Sequence, residues 1–442
     1  MYSPHLYDGS ESEKRKEMGD YFSDAWDKED TLFSLLKDES SLFEQPEPTR
    51  NPLVFYYGHS AEFYINKLVM SGILKQVERI DPQLEDTVSL GVFNMPGDTL
   101  KHQFDILEPH KVKRYRDRAR ETVMKVIATT PFPITSKDSY WAILMGIEHQ
   151  RVHIETTSVL MRQLTLSKIK QSNQYAPQSM ASVENKLINV PKGAIQFGKN
   201  QQDPYFGWDS EYGRKEVTVS SFQASQTLVS NGEYMAFVSD NGYQCRQFWS
   251  KEGWQWKVAQ NRVCPSFWCE NKDGRYFLRI VTEIVELPLD WPVEVSQYEA
   301  TAFCTWKSLN EGGAFRLPSE SEWRQMLAVS TGGQVPSQAN HQMQRLSPVP
   351  VNRFQHGDFF DMMGNVWQWT CSLFEKLDGF EPHSLYDNYS APYFNDYMML
   401  MGGSFMSTGA YMMPSTRNAF KPYFTQHAGF RYVKGGVHHV ER

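Results

Sequence analysis

The residues best equipped for chemistry are two histidines in MGIEHQRVHIETTSVLMRQL (residues 145–164). His149 and His153 lie four positions apart. On a helix both rings then leave one face about one turn apart, a chelating arrangement for a metal ion. A third histidine, His59, stands in the apolar and aromatic stretch NPLVFYYGHSAEFYINKL (residues 51–68). It reads either as a satisfied core histidine or as a third ligand, because a helix-bundle core is where ligands from facing helices converge. Glu155 invites a two-histidine, one-carboxylate site, but it lies roughly 200° around the helix from His153. It is expected to support a ligand from behind or to meet substrate. A zinc peptidase is disfavoured, since that motif needs Glu directly after the first histidine and Gln150 stands there. Three imidazoles with open positions suit Fe(II), Cu or Zn.

These residues need helices to hold them, and the first part of the chain provides the pattern. Residues 11–37 repeat Phe22, Trp26, Leu32, Leu35 and Leu36 at helical spacing. A second helix opens at Asn51-Pro52, a third covers HKVKRYRDRARETVMKVIA (110–128), and a fourth carries the histidine pair. Four helices with a long connection over about 74–108 imply an up-down bundle. Residues 171–186 are polar and form the expected linker between a bundle at 1–170 and a second domain at 187–442. In that domain short apolar runs alternate with Gly, Asn, Asp and Pro clusters, around one clear helix, SQYEATAFCTWKSLN. The expected class is α+β multidomain, with a loop-rich second domain.

Composition narrows the function. Of 442 residues 40% are hydrophobic, 14% aromatic and 22% charged, a globular balance. The net charge of −7 argues against nucleic-acid binding as the main task. No apolar run reaches the roughly 18 residues of a membrane span. The first residues, MYSPHLYDGSESEKRKEMGDYF, lack the apolar core of a signal peptide. Five scattered cysteines read as free thiols, so a cytoplasmic location is expected.

Taken together, the two histidine-bearing segments and the second-domain stretches DPYFGWDSEYGRKEVTVSSFQASQTLVSNGEYMAFV, FRLPSESEW, FFDMMGNVWQWT, GGSF and TQHAGFRYV carry a family resemblance. Over nearly its whole length the chain resembles the non-haem iron sulfoxide synthases of thiohistidine biosynthesis. It looks closest to the 5-histidylcysteine sulfoxide synthases of the ovothiol pathway. The resemblance implies a DinB-like four-helix bundle with Fe(II) on His59, His149 and His153. A formylglycine-generating-enzyme-like domain, related to C-type lectins, would follow it. It also implies the reaction: O2 couples the sulfur of cysteine to a carbon of the histidine imidazole ring and leaves a sulfoxide. Both substrates are zwitterions, so their carboxylates need donors; Arg417 and Asn418 are the candidates, with Glu155 as a further substrate contact, while Arg431 reads as structural.

The chain departs from the resembled family at three places. Relatives place a tyrosine near the iron after the GNVWQWT element, whereas residues 371–380 (CSLFEKLDGF) contain none. Glu375 falls nearest in register, and Tyr386, Tyr389 or Tyr393 from the following loop could substitute. The stretch FNMPGDTLKHQF (93–104) differs from the acidic, Trp-containing stretch of ovothiol-type relatives, which implies a different thiol, a selenium donor or an N-methylated histidine. No S-adenosylmethionine-binding glycine-rich loop follows HAGFRYVKGG, so a separate methyltransferase, and a lyase, are expected partners in the pathway. Two other readings stand beside C–S coupling. One is a thiol dioxygenase, which loss of the tyrosine would favour. The other is a non-catalytic lectin-like binding module, against which retention of all three histidines argues.

Overall fold

The computed structural model describes residues 2–89, 104, 106–172, 175 and 181–435. The altered stretch at 93–104 therefore lies outside the described residues, Phe104 apart, as does much of 171–186. The helices are α1 (Glu11–Phe33), α2 (Leu53–Met70), α3 (Pro82–Val88), α4 (Pro109–Thr129) and α5 (Trp141–Gln163), then α6 (Asn231–Ser239), α7 (Lys251–Ala259), α8 (Gln297–Glu311) and α9 (Glu320–Thr331). The four long helices fall where the apolar spacing puts them. The connection between α2 and α4 holds a short helix that the periodicity did not indicate, and α8 has three companions in the second half.

Local chemistry starts and stops these helices. Ser10 accepts from the Glu13 amide and the Glu13 carboxylate reaches back, closing a capping box on α1. Pro109 sits in the first turn of α4, where its missing N–H costs nothing. Asp81 caps α3 through the Leu84 amide. Met18, Tyr21, Phe22, Ala25 and Trp26 face the core from α1 at spacings of three and four. On α4 the buried stripe is Val112, Tyr115, Arg116, Ala119, Val123 and Ile127. Arg116 is buried because Glu29 (2.8 Å) and Asp30 (2.6 Å) neutralise it. Helices α2 and α5 approach closely at Gly146, where a Cβ would stand 2.3 Å from the Tyr64 ring.

The second half is built from small sheets and long loops. One four-stranded sheet runs in the order Asn418–Phe420, Met398–Met401, Trp367–Leu373, Ala428–Gly429; Trp367 lies opposite Ala428 in its one parallel pairing. A second joins Leu187–Val190, Phe222–Ser225, Val433–Lys434 and Phe315–Arg316. The bundle core does not stop at the bundle: Phe206, Trp208, Phe405, Met406 and Ala410 belong to the same apolar cluster as α1, α2 and α5.

Helix α5 is the shared wall, buried along nearly its full length. Its histidine face looks into the bundle. Its other side carries charges that end on the second half. Glu155 accepts from Trp367 Nε1 (2.5 Å), Ser404 Oγ (2.6 Å) and Ser407 Oγ (2.7 Å). Arg162 grips both Glu294 oxygens at 2.6 Å, a bidentate pair. Glu148 accepts the Ala410 amide at 3.0 Å and the Tyr21 hydroxyl. At Gly409 the two halves touch so closely that a Cβ would lie 2.3 Å from Tyr21 Oη. Among the described residues, no helix is long and apolar enough to cross a membrane.

Candidate metal and substrate site

His59 from α2 and His149 and His153 from α5 converge in the bundle, with their ligand atoms all within 4.8 Å of one another. All three are buried. His59 Nδ1 lies 2.7 Å from the Val88 carbonyl at the end of α3. A carbonyl can only accept, so Nδ1 carries the proton and Nε2 presents its lone pair to the cluster. The Nε2 atoms of His149 and His153 face each other at 3.1 Å, while their Nδ1 atoms are buried without partners among the described residues. Two imidazole nitrogens at about 2.1 Å from one ion, a right angle apart, are separated by about 3 Å. The donor set therefore fits a metal ion. Burial pushes His59 down to about 4 and holds His149 and His153 well below the ordinary imidazole value, so all three are neutral donors near pH 7.

Aromatic rings fix the cluster in place. Phe63, one turn after His59, stacks on His149 with centroids 3.5 Å apart and planes 7° apart; Phe55 stacks on His59 at 4.8 Å. Tyr386 lies 6.3 Å from His149 and 5.2 Å from Phe63 by centroids. Of the loop tyrosines, this is the one whose ring meets a cluster histidine. Burial raises its pKa far above the ordinary phenol value, so it keeps its proton. Tyr389 stacks on Trp208 (3.9 Å) and Tyr393 packs against Tyr397 (4.7 Å). Glu375 is half-exposed, with Lys215 Nζ at 3.8 Å; among the described residues it forms no hydrogen bond or ion pair with the three histidines.

The other candidates are already engaged. Glu155 is occupied by the second half, as above, which accounts for its place on the side of α5 away from the histidine pair. Arg417 is clasped by Glu320 (3.0 Å from each of two guanidinium nitrogens) and donates to the Ser210 carbonyl. Asn418 Oδ1 accepts the Ala419 amide at 3.0 Å, which leaves its NH2 group as the donor. Gln150 links Tyr64 (2.7 Å) to Glu29 (2.8 Å), so the residue that breaks the peptidase motif is a strut of the bundle. Arg431 donates to Gln368 and to the Ser225 carbonyl, a structural role as expected. All five cysteines are free.

Two features escaped the sequence. The Val88 carbonyl is a backbone group and carries no side-chain signal. Lys67 was visible in principle, since His59, Phe63 and Lys67 repeat at intervals of four. Its Nζ lies 4.9 Å from the Phe63 centroid and 4.6 Å from that of Tyr386. Beside Tyr386 opens a cavity of about 510 Å3 whose walls include Trp141, Met145, Trp208 and Asp209. Burial raises the Asp209 carboxyl to about 6.

Residues 172–435 match the sulfatase-modifying factor enzyme 1-like domain family. Hercynine oxygenase of Mycobacterium tuberculosis is 29% identical over 413 residues, covering 88% of this chain and 92% of that protein. Ergothioneine biosynthesis protein 1 of Schizosaccharomyces pombe is 24% identical over 465 residues, which span 92% of this chain and 54% of that protein. Among solved structures, PvdO from Pseudomonas aeruginosa is similar over 56% of this chain and 93% of its own, at 17% identity and a TM-score of 0.42. The likeness to these relatives extends beyond the matched domain and supports a thiohistidine sulfoxide synthase, an oxidoreductase. The domain match itself takes in more than half of the residues: the chain belongs to the sulfatase-modifying factor enzyme 1-like family.

Proposed function

We propose that the protein uses Fe(II) and O2 to join the sulfur of cysteine to a carbon of the histidine imidazole ring, forming a histidylcysteine sulfoxide. The observation that carries this is the buried cluster of three neutral imidazoles with ligand atoms within 4.8 Å. His59, His149 and His153 would hold an Fe(II) ion, which when bound would supply O2 activation and a position for a soft thiolate. The chain's own residues do the rest. Val88 and the rings of Phe55 and Phe63 hold the imidazoles in their planes. Tyr386, its ring centroid 6.3 Å from that of His149, holds a proton at its hydroxyl, in the role that the resembled family gives to a tyrosine from a different stretch. Asn418 offers its amide to a substrate carboxylate, and Arg417, held by Glu320, sets the position of that strand. Glu155 acts through position alone, by fixing α5. Glu375, a candidate by register, and Tyr393, a candidate from the following loop, serve as comparison sites for mutagenesis. Bringing two substrates to one centre is itself worth several kcal/mol.

Placement in the ovothiol pathway, with free histidine as acceptor and with separate methyltransferase and lyase enzymes, is part of the proposal. The test is anaerobic reconstitution with Fe(II), then O2 with cysteine, with and without histidine or its N-methylated betaine, read by mass spectrometry. A cysteine–imidazole adduct carrying one added oxygen is the expected product. Cysteine sulfinic acid alone, unaffected by histidine, would establish a thiol dioxygenase instead. No turnover with cysteine but coupling with another thiol or a selenium donor would move the substrate and keep the reaction class.

A further inference from the structure

Among the described residues, no carboxylate forms an ion pair with the buried cation Lys67. Only 6% of it is exposed. Its one described hydrogen bond runs to the Met70 thioether at 3.5 Å, a weak acceptor. Glu62 and Asp387 are near enough to favour its charge, yet among the described residues no carboxylate forms an ion pair with it. Three other buried cations are matched by carboxylates, Arg116 by Glu29 and Asp30, Arg162 by Glu294 and Arg417 by Glu320; Arg279 and Arg431 donate instead to strong carbonyl acceptors, which Lys67 lacks among the described residues. A buried ammonium costs several kcal/mol unless it is paired, and two aromatic faces offset that only in part.

Its position is equally specific. One turn before Lys67, Phe63 stacks on His149; one turn after it, Ser71 lines the cavity. Met145, one turn before His149, lines the same cavity, and Tyr386 both walls the cavity and covers the ammonium. Lys67 thus packs between Tyr386, which walls the cavity, and Phe63, which stacks on His149. We propose that Lys67 binds the carboxylate of an amino-acid substrate behind this cavity wall and so aims the other end of that molecule at the histidines. The proposal rests on the reading above in taking amino acids as substrates. A carboxylate here completes an ion pair that the described residues leave open, and the aromatic walls exclude water from it.

The test is anaerobic titration calorimetry on the Fe(II)-loaded protein, without turnover, using matched pairs: L-cysteine against cysteamine and L-histidine against histamine. The acid of one pair should bind at least about tenfold more tightly than its amine, and that pair identifies whose carboxylate is held. In Lys67→Met the preference should fall to within about twofold, and Lys67→Arg should recover part of it, with metal content unchanged in both. A preference that survives in Lys67→Met, or acids that bind the wild type no more tightly than their amines, overturns the assignment. Acetate separates this from substrate identity: it should raise the melting temperature of the wild type saturably and leave Lys67→Met unmoved. If acetate acts so but neither amino acid binds, the substrates proposed above fail and the carboxylate site stands. If acetate fails to distinguish the two proteins, the site falls whatever the substrates are.

Discussion

Three imidazoles, a phenol and an ammonium meet within a few side-chain lengths; burial favours the uncharged form of each and so works against the ammonium alone. Burial keeps the histidines neutral and Tyr386 protonated. Tyr386→Phe should leave metal stoichiometry intact while moving product from coupled sulfoxide toward sulfinic acid, by about 10-fold or more if the hydroxyl transfers a proton; product ratios by mass spectrometry check this. The same change at Tyr393 should leave the ratio unmoved. Glu320 makes the opposite point. Burial alone would raise its pKa, but Arg417 and Arg324 outweigh it and hold the carboxyl at about 2. Unfolded, the group titrates near 4.5, so its contribution is complete above that pH and is lost as pH falls toward 2. Glu320→Gln should cost about 3–5 kcal/mol near pH 7, with the gap to wild type narrowing through that acid range in urea unfolding. The histidine pair was legible in sequence because spacing of four on a helix is local. The choice among Tyr386, Tyr389 and Tyr393 was not, since it depends on how a loop of the second half folds against α2.

At the scale of elements, the short helix α3 and the long helix α5 each position the cluster from a distance. Asp81 caps α3, and α3 presents the Val88 carbonyl to His59. Asp81→Ala should cost about 1 kcal/mol of stability and weaken metal binding by up to about tenfold, measurable by competition with a coloured chelator. On α5, Glu155 satisfies Trp367, Ser404 and Ser407 rather than a ligand. Glu155→Gln should therefore destabilise by about 1.5–3 kcal/mol while metal stoichiometry stays unchanged; loss of metal in the folded variant would place Glu155 in the ligand support after all. The four long helices were readable because their apolar stripes repeat at 3.6 residues. Helix α3 was missed because seven residues offer too short a window for periodicity. The acceptor it supplies is a backbone oxygen, which every sequence has at every position. Helices α6, α7 and α9 were likewise lost among the polar turns that surround them.

At the scale of the whole molecule, the described parts of the two halves share one apolar cluster. The bundle core continues into Phe405, Met406 and Ala410, and Arg162 with Glu294 locks α5 from the other side. One cooperative transition is expected in calorimetry. Chelation should lower its midpoint, because metal at about 100 times its dissociation constant adds about 2.7 kcal/mol to the folded state; two separated transitions would show independent halves. The charged flank of α5 has a further consequence in the cell. The partners of Glu155 and Arg162 lie far along the chain, Ser404 being 249 residues after Glu155 and His427 265 after Arg162. At about 5–20 residues per second of synthesis, the new helix waits roughly 12–50 seconds for them. An apolar flank of that length would be an aggregation surface during the interval. Glu155 and Arg162 stay hydrated until the ribosome delivers their partners, so the same groups that lock the finished protein keep its unfinished form in solution.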